Sequence, residues 1–438
     1  IKPIIVTLLS LVIGYCFLLN GVKRVDLPPH LLGHHAEFIE NLLSPEDAEA
    51  LLSLAKEMGD FPTNQQDTKF YTTLHEHVGE ARPITEDGTC PHPFLVPNRN
   101  KTLCVLPGRI DVGRHYILGG GVQGLKEPYE HIVSRLFSFG RYIFDPSEFP
   151  RVQQLFQSEQ FIRSTKAVCP ADKQLLDPFQ FNFIVQVPGQ TVALHIDAVY
   201  FHGATRFEYP QWLLAVMQYS GLFQDLFIDQ LQGVAYFHRW NDERGGNFVY
   251  WQKNEREPVR QKPLSRAGSF VDGSKVVHAA TVYRPDRSPP IMEKSFDNRL
   301  VYIGDDHWQV QSNGTPVADY TTDDLRWTIV YRGRCFKDQK ELDQFRENID
   351  TKKNVIPLEQ IMETLKQGLV DRGKHTKQYL DGLDRLDLSI LLMDEYIHYP
   401  LSPDRAIPWN YCALPRLPFL QKTPVLSNLL TTLLKPIC

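Results

Sequence analysis

The sequence predicts an α+β protein built on an antiparallel β-barrel or sandwich, on three observations. From Phe179 onward, short runs of β-branched and aromatic residues alternate with turns: FQFNFIVQV, TVALHI, GVAYFHRW, NFVYWQ, GSFVDG, KVVHAATVY, RLVYIG and LRWTIVYRG. Many short strands separated by turn signals indicate antiparallel β-structure. The segments on either side carry helical periodicity instead. Finally, 438 residues that are 42% hydrophobic and 11% aromatic, with 31 Pro spread over the loops, can fold one large barrel with helical additions. A net charge of −5 without a long basic run excludes a nucleic-acid footprint.

The first element is apolar. Pro3 to Leu19 (PIIVTLLSLVIGYCFLL) carries no charge and lies between Lys2 and Lys23-Arg24. That is near the minimum to span a bilayer. No small-residue cleavage pattern follows it, which favours a membrane signal-anchor over residues 1–22 against a cleaved signal peptide. Beyond Cys16 stand six cysteines, Cys90, Cys104, Cys169, Cys335, Cys412 and Cys438, without any CxxC. An even, dispersed set suits disulfides in an oxidising compartment better than zinc. Cys90 and Cys104 bracket a Pro-rich loop and are the expected pair. Asn100-Lys101-Thr102 and Asn313-Gly314-Thr315 are glycosylation sequons. Together these predict that the chain beyond the anchor lies in the lumen of the endoplasmic reticulum or Golgi.

A helix is predicted after Ser44, with Ser44 as N-cap, Pro45 at the first position, an apolar stripe of Leu51, Leu52, Ala55 and Met58, and Gly59 as C-cap. Residues 60–120 read as loops, and Tyr129 to Tyr142 as a second helix. Trp212 to Leu231 is a helical insertion among the strands. After Phe336 the pattern returns to helices, including an amphipathic one at 357–372 that packs on the barrel or serves a homodimer. The last forty residues read as an irregular tail. The domain reading is therefore a support region at 23–178, a catalytic core at 179–336 and a helical extension at 337–438.

The chemistry centres on Leu194-His195-Ile196-Asp197. A His-x-Asp pair on a strand puts imidazole and carboxylate on one face. With 15 His in the chain such a pair arises by chance about once. Its surroundings matter more: a Pro188-Gly189 turn feeds the strand, Gly245-Gly246 opens another, and His278 follows Ala267-Gly268-Ser269-Phe270. Two His and one carboxylate form the three-ligand face of non-haem Fe(II) oxygenases, with the remaining positions open. Other clusters have blander readings. His75-Glu76-His77 reads as a solvated loop, Asp305-Asp306-His307 as a turn, and His238 as a satisfied structural histidine. Tyr200, Trp240 and Trp251 are core residues by default and candidates for the substrate mouth.

The segments FIENLLSPEDAEALLSLA, QVPGQTVALHID, YFHRWNDERGGNFVYW, AGSFVDGSKVVHAATVY and LRWTIVYRG, taken in order over about residues 36–336, resemble the Fe(II)/2-oxoglutarate-dependent dioxygenases, prolyl 4-hydroxylase-like branch. The resemblance implies a double-stranded β-helix, or jelly roll, with His195, Asp197 and His278 as iron ligands. It also implies a basic residue on the last barrel strand for the distal carboxylate of 2-oxoglutarate. Arg326 fits, with Thr328 on the same face, because LRWTIVYRG is a convincing strand and Arg offers a bidentate fork. Arg326 lies 48 residues beyond His278, a long interval for this family, whereas Arg284 and Arg287 lie nearer but in a loop-like Pro-rich segment. Gln186 stands where the family often has Tyr. The implied cofactors are Fe(II), 2-oxoglutarate and O2, with ascorbate as reductant.

The implied activity is hydroxylation of a C–H bond, in a prolyl or other side chain of a secretory-pathway protein or peptide, or in a small molecule. The insertions at about 202–232 and 284–322 are expected to shape the substrate cleft. Two rivals keep the same residues: a non-catalytic luminal binding protein, and a zinc hydrolase using the same metal face. No HExxH glutamate accompanies the motif, which weighs against the hydrolase.

Overall fold

The structure is a computed structural model that describes Ser10 and residues 26–63, 77–92, 94–98, 100–121, 129–143, 145–255, 257–292 and 296–401, with Leu414, Leu420 and 423–434. Almost all of the apolar N-terminal segment lies outside the described residues, as do Cys412 and Cys438. Among the described residues no helix is long and apolar enough to cross a membrane.

Eight strands form the centre: β1 (Leu175–Gln186), β2 (Val192–His195), β3 (Gln230–Tyr236), β4 (Phe248–Tyr250), β5 (Val259–Gln261), β6 (Gly268–Val271), β7 (His278–Ala280) and β8 (Arg326–Phe336). One sheet runs β6-β3-β8-β1 and the other β5-β4-β7-β2, all antiparallel. The first strand thus pairs with the eighth, the second with the seventh, the third with the sixth. That nesting is the jelly-roll arrangement. The first sheet is extended by Ala36–Ile39 beside β6 and by Phe139–Ile143 beside β1.

Alternation along the strands decides what faces where. On β8, Trp327, Ile329 and Tyr331 point out into a core shared with Leu51, Ala55, Phe156 and Phe161 from flanking helices. Arg326, Thr328 and Arg332 take the opposite face. On the second sheet, Leu194, Val249 and Ala279 point out against Trp212, Met217, Leu365 and Leu392. The barrel is therefore held from outside by two apolar layers, and its interior is free to be polar. Gln180, Asn182, Gln186, Gln230, Gln232, Ser269, His278, Arg326 and Thr328 are all buried.

Local signals explain the element ends. The helix Pro45–Met58 has the predicted caps: Ser44 accepts from the Asp47 amide, and Gly59 is left-handed at φ 61°. The Pro188-Gly189 turn needs its glycine, since φ is 85° and a Cβ would stand 2.5 Å from Pro289 Cδ. The predicted helix at 129–142 is shorter, Tyr129–Leu136, because Phe139–Ile143 is taken as a strand against β1. The helical insertion likewise ends at Ser220, and Gln230 already belongs to β3.

Contrary to expectation, no described residue of the insertion at 284–322 lines the cavity at the metal motif or the groove beside it. Its strands Asn298–Gly304, His307–Ser312 and Thr315–Thr321 form a sheet with Asp60–Pro62. Trp308 packs 4.9 Å from Trp327 on the outer side of β8. Asp305 and Asp306 make the expected turn, with φ 47° and 60°. Cys90 pairs with Cys104 as expected, and a second disulfide, Cys169–Cys335, ties the end of β8 to the helix Glu159–Val168. Asn100 and Asn313 both sit in exposed turns.

Candidate metal centre

His195 and His278 are directly opposite each other on β2 and β7, with ring centroids 4.3 Å apart. Asp197 follows β2 by two residues, its amide donating to the Gly273 carbonyl at 2.8 Å. One ligand atom from each of the three lies within 4.8 Å of the others, a constellation unique among the described residues. His195 Nδ1 faces the Ala193 carbonyl and His278 Nδ1 the Val276 carbonyl, each at 2.8 Å. A carbonyl only accepts, so each Nδ1 carries the proton and each Nε2 presents its lone pair to the site.

Electrostatics prepare the same outcome. Burial disfavours charge on His278, the neighbouring His195 adds to it, and the imidazole is pushed down to about 4, so it is neutral. Burial also opposes ionisation of Asp197, but the Arg332 guanidinium beside it outweighs burial. The carboxylate is held well below its usual range. Arg332 Nη2 donates to Asp197 Oδ1 at 2.9 Å, and its Nε donates to Gln232 at 2.8 Å. Arg109, gripped by Asp111, donates to the Ile196 carbonyl at 2.9 Å and pins the segment between the ligands.

Gly273 is the tightest approach. A Cβ there would lie 2.1 Å from Asp197 Oδ2 and 3.1 Å from His278 Cε1. Gly273→Ala is expected to displace the carboxylate and weaken divalent-metal binding about 10- to 100-fold, the range for disturbing a ligand's support. Titration of the variant with Fe(II) or Co(II) checks this, and wild-type affinity would refute it.

Deeper in the barrel lies Arg326, 5% exposed. Its hydrogen-bond partners are neutral: Gln186 Oε1 at 2.8 Å and the Gly246 carbonyl at 3.4 Å. The Tyr236 ring stands 5.3 Å away. Burial pushes the guanidinium down from its ordinary value, and no acidic group among the described residues lies against it. Arg326 Nε and His238 Nε2 are buried without partners. His238 is therefore only half satisfied, through Nδ1 and the Trp327 carbonyl at 3.1 Å. Burial and Arg326 push it down to about 3. Thr328 donates to the Ile184 carbonyl at 2.9 Å. Arg284 and Arg287 lie elsewhere, paired with Asp286 and Asp324 near the surface.

A cavity of about 150 Å³ opens onto the metal face between Arg109, Gln180, Arg206, Gln230 and Arg332. None of its lining comes from 284–322. Trp240 and Trp251 are not in it either: Trp251 is core, and Trp240 donates to the Gly245 carbonyl at 2.7 Å. Tyr200 lines an adjoining groove. His75 and Glu76 lie outside the described residues, and His77 is exposed. Sequence reasoning missed Arg332, which shares a strand face with Arg326 at even spacing. It also missed Gly273, which carries no local signal.

No family model and no curated protein matches the chain. Among solved structures it is similar to a prolyl-4-hydroxylase of Pseudomonas putida, at 11% identity and TM-score 0.31, over 69% of this chain and 93% of that one. It is similar to a Trichoplax adhaerens prolyl hydroxylase in complex with a hypoxia inducible factor peptide fragment, at 10% identity and TM-score 0.32, over 71% and 86%. A third is the collagen prolyl hydroxylase of Paramecium bursaria Chlorella virus-1 in its 2-oxoglutarate complex, at 10% identity and TM-score 0.30, over 69% and 97%. All three are prolyl hydroxylases.

Proposed function

We propose that this protein is an Fe(II)- and 2-oxoglutarate-dependent dioxygenase that hydroxylates a C–H bond in a prolyl or other side chain of a secretory-pathway protein or peptide. The observation that carries the reading is a pair of needs inside one barrel. A three-ligand face of two imidazoles and one ionised carboxylate stands at the mouth, and a buried guanidinium without a counter-ion stands behind it. An uncompensated buried charge is costly, so Arg326 calls for an anion. A zinc hydrolase or a bare binding barrel gives that guanidinium no task; a dicarboxylate cosubstrate does.

His195, Asp197 and His278 would hold Fe(II), with Arg332 keeping Asp197 ionised and aimed. Arg326 would take the distal carboxylate of 2-oxoglutarate, while Gln186 orients the guanidinium and Thr328, on the same strand face, would turn its hydroxyl proton from the Ile184 carbonyl to that carboxylate. When bound, the metal and cosubstrate supply the oxidising power from O2, with 2-oxoglutarate leaving as succinate and CO2. Ascorbate would keep the iron reduced. The two disulfides support an oxidising compartment such as the secretory lumen.

Anaerobic addition of Fe(II) and 2-oxoglutarate to the metal-free protein should produce a visible charge-transfer band, and admission of O2 should then yield succinate. A protein that gives neither band nor succinate is not a dioxygenase of this kind.

A further inference from the structure

Beside the metal cavity, and sharing Phe179 and Arg206 with it, runs an open groove of about 360 Å³. Its walls are Phe179 from β1, Tyr200 from the segment after the metal motif, Arg334 from β8, and Phe345 and Arg346 from the helix Gln339–Thr351. Arg334 is two residues beyond Arg332, and both keep the β3 register on one strand face. Its guanidinium sits among three rings, 4.4 Å from the Phe179 centroid, 4.7 Å from Phe345 and 5.1 Å from Tyr200.

Arg334 and Arg346 share one carboxylate, Asp177, at 2.9 and 2.6 Å. The Arg206 guanidinium lies over Phe179, Tyr200 and Phe207 and donates to Gln180 Oε1 at 3.5 Å. The acid among the lining residues themselves is Asp350, at the exposed end. Two buried polar atoms in this wall also lack partners: the hydroxyl of Tyr200, a residue 1% exposed, and Nε of Arg334. Ring-stacked guanidiniums are already oriented, so they bind an oxyanion with little ordering loss.

We propose that this groove anchors the substrate by an oxyanion, a carboxylate or phosphate ester carried next to an apolar or flat group, while the C–H to be oxidised reaches past Phe179 to the metal face. The inference rests on the dioxygenase reading and narrows its substrate class to anionic molecules. The anion could belong to an acidic side chain in a peptide or to a free small acid.

Both sources can be tried on the metal-free protein by ligand-observed NMR. Phenylacetate and its neutral analogue 2-phenylethanol probe the free acid; two blocked pentapeptides differing by Glu against Gln probe the peptide. At least one acidic probe should bind roughly tenfold more tightly than its neutral twin, the size expected for hydrogen bonds to a charged group. Tyr200→Phe and Arg346→Gln should each weaken it several-fold. The first removes an unpartnered hydroxyl and the second a side chain 56% exposed, so both variants should fold. The Fe(II)·2-oxoglutarate band, recorded on the same variants, should be unchanged. Equal binding of acidic and neutral twins, no binding at millimolar concentration, or acidic binding indifferent to both substitutions overturns the groove assignment. Loss of the band in the wild type instead overturns the dioxygenase reading and leaves the groove result standing.

Discussion

Asp197→Ala is expected to abolish 2-oxoglutarate turnover and to reduce Fe(II) affinity by at least about a thousandfold, since one missing ligand bond of a few kcal/mol is worth that much. The same substitution should also destabilise the metal-free protein. Arg332 donates to Asp197 at 2.9 Å with its side chain 17% exposed, and alanine leaves that guanidinium facing two imidazoles with no counter-charge. Breaking a buried pair from one side costs about 3–5 kcal/mol. Here about 3 kcal/mol is the expectation, because Gln232 remains as a partner and some solvent reaches the site. Asp197→Asn should separate the two effects: it keeps a carbonyl oxygen for Arg332 and recovers part of the stability, but it forfeits the anionic ligand. Calorimetry of the metal-free proteins and metal titration of both variants decide the matter. An alanine variant that is as stable as the wild type would mean that Arg332 is not tied to the ligand, and one that still turns over would remove Asp197 from the site.

That coupling shows what the sequence could and could not disclose. The His-x-Asp pair was legible because a strand period of two puts both side chains on one face, and His278 because glycine-rich turns and β-branched runs mark the strands on which it had to lie. An antiparallel barrel or sandwich followed from the same runs, and its jelly-roll order from the family resemblance. Arg332 was harder to see: nothing in VYRGRC says that its partner lies 135 residues away, and only the pairing of β8 with β3 and β1 brings it to Asp197. Gly273 is a stronger case, since its constraint is purely one of space. The 284–322 insertion misled for a related reason. Its strands carry an apolar alternation that a cleft wall would also need, and only Trp308 meeting Trp327 reveals that the apolar face covers the outside of β8. His238 was read as satisfied because most buried histidines are, and here one nitrogen is bonded and the other is buried without a partner near Arg326.

Arg326 makes the second large prediction, in which affinity and stability move in opposite directions. Arg326→Gln should weaken 2-oxoglutarate by about 100- to 1000-fold, the loss of a buried charge-assisted pair with a carboxylate. Yet the ligand-free variant should be no less stable than the wild type, and its melting temperature should rise if anything. The reason is that burial opposes the charge on Arg326, its partners Gln186 and Gly246 are neutral, and its Nε is unpartnered. A structural arginine behaves in the reverse way, since its removal lowers stability and leaves cosubstrate binding alone. A 2-oxo acid without the distal carboxylate sharpens the comparison. The wild type should prefer 2-oxoglutarate to 2-oxobutanoate strongly, and the variant should hardly distinguish them. Arg287→Gln, on the surface beside Asp324, serves as the control and should leave that preference intact. If the preference instead follows Arg287, or survives Arg326→Gln, the distal carboxylate is held elsewhere and the buried guanidinium has some other anion to meet.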